Sequence, residues 1–267
     1  MKEILVPTDF SDSAQNALDY AVALANRFGS KILLYHVFKI RITSRTFVSI
    51  DAVLKEEAEE KMQETIRAYK PRLKGGASME GLAMRGDVIP AITHRAETEP
   101  ADLIVMGTEG ASGIRGVVLG STAVGILENS DIPVLVIPKG ANYSGLQSLV
   151  LALDEKAVED QKVLAPLLRI AAAYDLPVKI FHKTDPEHPT EIDEKIEPLF
   201  EEVSHALYYE ASEMSTRDSI IQFARREMAD LLCLVRRKRN FLEKLFQSSM
   251  TREQVLHGNI PMLILKE

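Results

Sequence analysis

Glycine and hydroxyl residues recur at a fixed spacing in the segment that starts at Gly107. The pattern is G-x2-G-x9-G-S-T, and its fixed members are Gly107, Gly110, Gly120, Ser121 and Thr122. Glycines allow backbone N–H groups to surround an anion, and the helix that should begin after them adds partial positive charge at its N-terminus. The segment has neither the Gly-Lys-Ser/Thr ending of a Walker loop nor a GxGxxG pattern. Because it follows an apolar run and precedes a helical pattern, phosphate binding is favoured over a flexible surface loop.

Asp9 is a second candidate because it ends the first apolar run, EILVPTD. In doubly wound sheets, ligands collect outside the carboxyl ends of the strands. A carboxylate at that position can accept hydrogen bonds from a ribose or a base. The structural alternative is that Asp9 caps the following helix, and the repetition of this aspartate as Asp154 suits that role equally well. Both interpretations stay open from the sequence.

Short apolar runs alternate with helical patterns in the first half of the chain. The predicted strands are residues 3–9, 31–37, 77–87, 102–107 and 132–138, and the predicted helices are residues 11–29, 51–73, 88–99 and 122–130. Ser11 or Ser13 should cap the first helix, and Gly29 should end it. Continuous apolar strands separated by helices predict a parallel sheet covered on both faces. With right-handed crossovers, the result is a doubly wound, Rossmann-like α/β domain.

The same pattern restarts after a short linker. SLVLALD matches EILVPTD, ADLLCLV matches ADLIVMG, and NIPMLILKE matches DIPVLVIPK. The offset between the copies is 145 residues from Asp9 to Asp154, 146 from His36 to His182, and 128 from Asp102 to Asp230, so the second copy is shorter in its middle. The sequence therefore predicts a tandem duplication with two five-stranded sheets, in domains 1–140 and 146–267.

The second copy keeps the length of the glycine segment but loses its glycines. The residues at the positions of the first copy's Gly107, Gly110, Gly120 and Ser121 are Val235, Lys238, Ser248 and Ser249. We therefore expect the glycines of the first copy to make room for phosphate rather than to be needed for folding, and we expect no phosphate site of this kind in the second copy. Helical spacing predicts a short amphipathic helix there through Phe241, Leu242, Leu245 and Phe246.

The basic run Arg236–Arg239 is interpreted as a solvated face. Two alternatives are contact with an acidic partner and contact with phosphates bound in the first copy. Nucleic acid is disfavoured, because no aromatic residues interleave with these charges and the net charge of the chain is −7.

Composition and termini favour a cytoplasmic protein. Hydrophobic residues make up 46% of the 267, which suffices for well-packed cores. The single Cys233 has no partner for an internal disulfide, as in a reducing compartment. The N-terminus has no signal-peptide pattern, and no apolar run approaches the length of a membrane span. We therefore expect no membrane association.

Catalytic and metal-binding patterns are weak. His36, His94 and His182 have no cysteine or acidic residue at metal-ligand spacing, so we expect them to be satisfied or solvent-facing. No nucleophile-elbow sequence is present. We expect at most slow hydrolysis of a bound phosphate compound, because no clear general base or arginine finger is visible, although Arg115 is close enough in sequence to reach bound phosphates.

Four segments together resemble the universal stress protein family: ILVPTDFSDSAQNAL, RGDVIPAI, ADLIVMGTEG and GVVLGSTAVGILENSDIPVLVIPK. The glycine spacing is that of the family's nucleotide loop, matched without gaps. The resemblance covers the first copy and, more faintly, the second. It implies an adenine nucleotide alpha hydrolase-like fold, a stress-response or signalling role, and binding of ATP (or AMP or ADP), with Mg²⁺ as an optional companion. The residues it implicates are Pro7, Thr8, Asp9, Val37, Met106, Gly107, Gly110, Gly120, Ser121 and Thr122.

One residue departs from the family pattern. Glu109 stands where members often carry histidine. A carboxylate there repels phosphate unless Arg115 or a metal ion offsets it, which weakens the case for ATP relative to AMP.

The resemblance also predicts pairing of domains through the last strand of each copy, IPVLVIP and IPMLILK. Within one chain this gives an intramolecular pseudo-dimer, and between chains a homodimer. Three functions remain open: nucleotide binding that alters contacts with an unidentified protein partner, a nucleotide-independent interaction or scaffold protein, and an ATP-hydrolysing or adenylyl-transferring enzyme.

Overall fold

The chain forms two compact units, Met1–Lys139 and Gly140–Glu267. The computed structural model describes residues 1–39, 49–99, 101–108, 119–153, 158, 160–184, 196–237 and 259–267.

The first unit is a parallel five-stranded sheet with helices between successive strands. Its elements are β1 Glu3–Pro7, α1 Asp12–Phe28, β2 Lys31–Phe38, α2 Ser49–Tyr69 with a 3-10 turn at Lys70–Arg72, β3 Ser78–Arg85, α3 Val88–Thr98, β4 Leu103–Gly107, α4 Ser121–Asn129 and β5 Val134–Ile137. The strand order is β3-β2-β1-β4-β5, and every pairing is parallel. The order reverses at β1, which is the switch point at which doubly wound sheets bind ligands.

The second unit repeats this topology. Its elements are β6 Leu149–Leu153, α5 Gln161–Tyr174, β7 Val178–Thr184, a 3-10 turn at Glu197–Leu199, β8 His205–Ala211, α6 Thr216–Arg226, β9 Leu231–Arg236 and β10 Met262–Lys266. The order β10-β9-β6-β7-β8 is parallel throughout and matches β5-β4-β1-β2-β3. The predicted tandem duplication of a doubly wound α/β fold is confirmed.

The start, the end and the buried face of helix α1 follow from its local sequence. Ser11 is the N-cap, with its hydroxyl accepting the N–H of Ala14 at 3.3 Å, so of the two serines predicted to cap it is Ser11 that does so. Gly29 ends the helix in the left-handed conformation at φ 66°, and its N–H bonds to the carbonyl of Ala25. The predicted apolar stripe is buried, and consists of Ala17, Leu18, Ala21, Val22 and Ala25.

The duplication extends to a repeated carboxylate anchor. Oδ2 of Asp102, just before β4, accepts the N–H groups of Lys2 at 2.5 Å and Glu3 at 3.1 Å. Asp230, just before β9, accepts the N–H groups of Gln147 at 2.8 Å and Ser148 at 3.0 Å. Each aspartate fixes the start of the first strand of its own unit, so this repeated pair is structural.

Strands β1, β4 and β5 of the first unit and β6 of the second are almost entirely buried, as expected for sheets that are covered on both faces. Among the described residues, no helix has the length and apolarity that a membrane crossing requires.

Candidate functional site

A pocket of about 290 Å³ opens in the first unit, at the carboxyl ends of β1, β2 and β4. Nine of the ten residues named from the sequence line it: Pro7, Thr8, Asp9, Val37, Met106, Gly107, Gly120, Ser121 and Thr122. The tenth, Gly110, lies outside the described residues. Pattern reasoning missed other lining residues, namely Ala14, Tyr35, Val88, Ile92, Thr108 and Ala123. Val88 and Ile92 belong to α3 and to the segment RGDVIPAI, to which the resemblance assigned no role in the site.

The start of α4 forms the polar end of the pocket. Gly120 is the N-cap and supplies no side-chain cap, while its own N–H donates to the carbonyl of Thr108 at 2.6 Å. In the described part of the chain, no acceptor bonds the N–H groups of Ser121, Thr122 or Ala123. These donors, the hydroxyls of Ser121 and Thr122, and the positive end of the helix dipole together suit an anion.

Asp9 lies between the end of β1 and the start of α1, and it is exposed. Its Oδ1 accepts the N–H of Ser11 at 3.1 Å and the Ser11 hydroxyl at 2.5 Å. The helix cap is therefore Ser11, and the alternative that Asp9 itself caps α1 is wrong. Asp9 orients the capping serine and lines the pocket.

The turn after Asp9 has an uncommon backbone conformation. Phe10 has φ 61°, and its N–H donates to the Thr8 hydroxyl at 3.0 Å. A non-glycine residue in this region costs roughly 1–2 kcal/mol. The ring of Phe10 packs on that of His36, with 4.7 Å between centroids, which helps to hold the turn in place.

Apolar side chains form the opposite end of the pocket. Val37, Met106 and Tyr35 are 9%, 5% and 1% exposed. The Tyr35 hydroxyl donates to the sulfur of Met84 at 3.1 Å, and burial raises its pKa. These apolar residues, called the apolar slot below, share one pocket with the start of α4, a combination that suits a molecule with an aromatic ring and a phosphate.

The backbone of Val37 also faces this pocket. The carbonyl of Tyr35 accepts the N–H of Thr8 at 2.9 Å, on the β1 side, whereas the carbonyl of Phe38 accepts the N–H of Gly86 at 3.1 Å, on the β3 side. By this alternation the N–H and C=O of Val37 point toward β1, which has already ended. Within the described residues no hydrogen bond reaches either group, so both are available to a ligand.

Gly107 corrects the sequence argument about the glycines. A Cβ on Gly107 would lie 2.3 Å from the hydroxyl oxygen of Ser13 and 2.7 Å from its carbonyl oxygen. The residue must therefore be glycine because the start of α1 lies against the end of β4. The expectation that the glycines are not needed for folding is wrong for Gly107, and its role in binding phosphate stays a prediction. Gly120 has φ −65° and ψ 153°, an extended conformation open to any residue.

Comparison with known proteins decides the family. The profile of the universal stress protein family matches residues 1–138. This chain belongs to that family. The universal stress protein MJ0531 of Methanocaldococcus jannaschii is 31% identical over 143 residues, which cover 52% of this chain and 82% of that protein. A Thermus aquaticus universal stress protein is 32% identical over 136 residues, covering 51% of this chain and 98% of that protein.

A whole-chain match shows that both units share the universal stress protein fold. The crystal structure of a universal stress protein from Archaeoglobus fulgidus DSM 4304 aligns with a TM-score of 0.75 at 18% identity, covering 99% of this chain and 96% of that chain. The fold prediction is thus confirmed over the full length.

Two histidines of this universal stress protein, His36 and His182, lie near the ends of equivalent strands and bond to equivalent backbone carbonyls. Nδ1 of His36 lies 2.7 Å from the carbonyl oxygen of Thr8, and Nδ1 of His182 lies 3.3 Å from that of Leu153.

Cys233 is fully buried in β9. Across the described ranges, no cluster of three histidine, cysteine or acidic residues is arranged to hold a metal ion.

The basic run of the second unit differs from the solvated face that was expected. Arg236 is 5% exposed, and Arg237 forms an ion pair with Glu267. Val235 is half-buried in β9.

Several residues named from the sequence lie outside the described residues: Glu109, Arg115, Asp154, Lys238, Arg239, Phe241, Leu242, Leu245, Phe246, Ser248 and Ser249.

Proposed function

We propose that the N-terminal unit binds an adenine nucleotide, with ATP, ADP and AMP as the candidates, at the carboxyl ends of β1, β2 and β4. The observation that carries this proposal is the pairing, in one pocket, of an apolar slot with an uncapped helix N-terminus. Membership of the universal stress protein family supports it. The second unit carries none of the motif glycines and acts as the nucleotide-independent half.

The parts of a nucleotide match the parts of the pocket. The base enters the slot near Val37, whose backbone N–H and C=O offer one donor and one acceptor to its edge. Asp9 accepts from a ribose hydroxyl, and the phosphates lie at the start of α4, near Ser121 and Thr122. Two or three hydrogen bonds to a charged group, at roughly 1.5–3 kcal/mol each, support micromolar binding, which requires about −8 kcal/mol.

A magnesium ion fits this arrangement as a companion of the phosphates. Mg²⁺ keeps several waters and is usually held by one or two carboxylates together with substrate phosphates. Asp9 is the carboxylate among the described lining residues. The ion would neutralise phosphate charge close to that side chain.

Binding, rather than rapid turnover, is the proposed activity. The described lining residues include no histidine, lysine or arginine, whereas phosphoryl transfer needs groups that position water and stabilise the transferring phosphoryl. Hydrolysis, where it occurs, is slow. The bound state acts in cytoplasmic stress response or signalling, by altering the contacts of the protein with its partner.

Equilibrium binding of labelled ATP to the full chain tests the proposal. Asp9→Asn should weaken binding about tenfold, because one hydrogen bond to a charged acceptor is worth roughly 1.5–3 kcal/mol. Asp160→Asn is the matched control: Asp160 caps α5 by accepting the N–H of Lys162 at 2.9 Å, and it lies in the other unit. It should leave ATP binding unchanged.

Mass spectrometry of small molecules retained through purification identifies the nucleotide directly. Retained ATP, ADP or AMP supports the proposal and names the ligand. No retained nucleotide, no binding at millimolar ATP and an unchanged melting temperature with ATP would overturn it. That result would favour the nucleotide-independent interaction protein.

A further inference from the structure

Met84 is an exposed residue of β3 that contacts the pocket residue Tyr35. It lies on β3, directly opposite Val37 of β2, and it is 43% exposed. Its sulfur accepts the hydroxyl hydrogen of Tyr35 at 3.1 Å. The side chain therefore meets solvent and also contacts a residue of the pocket wall.

Tyr35 connects Met84 to the pocket. The residue is among those that line the pocket, and it is only 1% exposed. Among the described residues, the sulfur of Met84 is the hydrogen-bond partner of its hydroxyl. Chemistry at the sulfur of this exposed methionine therefore changes the surroundings of a residue in the pocket wall.

The other sulfur atoms provide a contrast. Met62, Met106 and Met262 are 2%, 5% and 2% exposed. Cys233 is fully buried, and burial raises the pKa of its thiol, which suppresses the reactive thiolate. Met214 and Met228 are 40% and 81% exposed but belong to the second unit. Met84 combines exposure with a direct link to the pocket.

We propose that Met84 is an oxidation site whose state is transmitted to the pocket through Tyr35. The oxidant is a hydroperoxide such as hydrogen peroxide. A sulfur lone pair attacks one peroxide oxygen, the O–O bond breaks, and the departing oxygen leaves as water after proton transfer. The sulfur is oxidised to the sulfoxide by two electrons while the peroxide is reduced, and methionine sulfoxide reductases reverse the change.

Oxidation changes the present contact between Met84 and Tyr35. The thioether sulfur carries two lone pairs, and the Tyr35 hydroxyl bonds to one of them at 3.1 Å. Oxidation at the other makes the sulfur electron-poor and a weak acceptor, while the new oxygen is a stronger one. The phenol must therefore lose its acceptor, or the two side chains must move so that it bonds to the sulfoxide oxygen at about 2.7 Å. Either change disturbs the apolar slot, so oxidation should weaken ligand binding. This consequence for affinity rests on the proposed nucleotide function.

The test treats the full chain with hydrogen peroxide and maps methionine sulfoxide by peptide mass spectrometry. Met84 and Met228 should oxidise before Met62, Met106 and Met262. ATP affinity should fall about threefold or more, the effect of losing roughly one hydrogen bond, and should recover with sulfoxide reductases. Met84→Leu should remove this sensitivity. Met228→Leu, the matched control, should retain it.

The variant Tyr35→Phe distinguishes the oxidation of Met84 from the effect of that oxidation on ATP affinity. This variant keeps the ring but lacks the hydroxyl, so Met84 should still oxidise while ATP affinity no longer responds. NMR of the protein labelled with ¹³C-tyrosine gives a readout that needs no nucleotide. The signal that Tyr35→Phe deletes should move when Met84 is oxidised.

The outcomes separate this inference from the proposed function. If the untreated protein binds no nucleotide, the proposed function fails, and the Tyr35 signal still decides whether oxidation reaches the pocket wall. An unmoved Tyr35 signal with Met84 fully oxidised overturns the inference. So does a moved signal with unchanged affinity in a protein that binds ATP, and so does oxidation of Met84 no faster than that of the buried methionines.

Discussion

The imidazole of His36 bonds to the backbone carbonyl of Thr8. If β1 continued, that carbonyl would instead accept the backbone N–H of Val37. Nδ1 of His36 lies 2.7 Å from the Thr8 carbonyl oxygen. Because a carbonyl only accepts, Nδ1 carries the proton. In a continued parallel ladder that carbonyl would accept the N–H of Val37. The histidine therefore ends the β1–β2 pairing and leaves a backbone donor and acceptor at the pocket.

Replacing His36 by phenylalanine should weaken ATP binding. The new ring can still pack beside Phe10, but it has no N–H to donate, so the Thr8 carbonyl becomes available to the N–H of Val37. We expect the affinity to fall about 3- to 10-fold, corresponding to one net hydrogen bond of roughly 0.5–1.5 kcal/mol. Isothermal titration calorimetry with ATP measures this change.

The second unit supplies the control for this prediction. Nδ1 of His182 lies 3.3 Å from the carbonyl oxygen of Leu153, in the equivalent position. His182→Phe should leave ATP affinity unchanged, whatever it does to stability. If His36→Phe and His182→Phe have the same effect on ATP affinity, His36 has no positioning role at the pocket.

Gly107→Ala should destabilise the first unit by about 1–3 kcal/mol, the usual cost of overpacking. The new Cβ would lie 2.7 Å from the carbonyl oxygen of Ser13, which belongs to the backbone of α1 and cannot rotate away. Urea denaturation measures the loss as a lower transition midpoint.

Gly86→Ala is the matched control for that substitution. A Cβ on Gly86 would meet its nearest neighbour, Ala91, at an ordinary distance of 3.8 Å, and no positive φ is required there. We expect no loss, or a gain of about 0.4–1 kcal/mol from a less flexible unfolded chain. Equal destabilisation by the two alanines would contradict the packing account of Gly107.

Much of the fold follows from local sequence. The strands of the first unit are short apolar runs, and α1 carries its own cap at Ser11 and its own stop at Gly29. The glycine spacing and Asp9 supplied five of the fifteen described lining residues, and the family resemblance supplied Pro7, Thr8, Val37 and Met106. These residues lie together because the carboxyl ends of adjacent parallel strands meet at one edge of the sheet. Pairing through the last strands, β5 and β10, stays a prediction.

Some features that the sequence patterns did not predict depend on contacts between residues far apart in the chain. Others were not predicted although their local signals are present. The reason for Gly107 is its approach to Ser13, far away in the chain. Strand β8 and helix α6 were not predicted, although HALYYEA is rich in strand-forming residues and Ser215 caps α6 by accepting the N–H of Asp218 at 3.1 Å. Arg236 is charged in sequence but buried in the fold.

The repeated carboxylate anchors predict a parallel effect in both units. Asp102→Ala and Asp230→Ala each remove the acceptor of two backbone N–H groups. We expect each substitution to cost about 1.5–3 kcal/mol, the value of hydrogen bonds to a charged group. Thermal unfolding of the single variants measures this cost, and full stability in either variant would show that its anchor is dispensable.

Glu227 predicts a dependence of stability on pH in the second unit. Its carboxylate accepts hydrogen bonds from Nζ of Lys179 at 3.0 Å and from Nε of Arg226 at 3.2 Å. The bond from Lys179, more than that from Arg226, lowers the pKa of Glu227 below its ordinary value of 4.5. The folded state therefore binds this proton less readily than the unfolded chain does. The stabilisation is present above pH 4.5 and is lost as the pH falls through the lowered pKa.

Glu227→Gln tests this pH dependence. The variant should unfold at a lower urea concentration than the wild type at neutral pH, because Lys179 and Arg226 lose their charged acceptor. The difference should shrink below pH 4.5, where the wild-type carboxylate also becomes neutral. Glu213→Gln removes the same charge from an exposed residue and should leave the urea midpoint at neutral pH close to that of the wild type. A gap between Glu227→Gln and the wild type that stays constant from neutral to acidic pH would mean that these ion pairs do not stabilise the second unit.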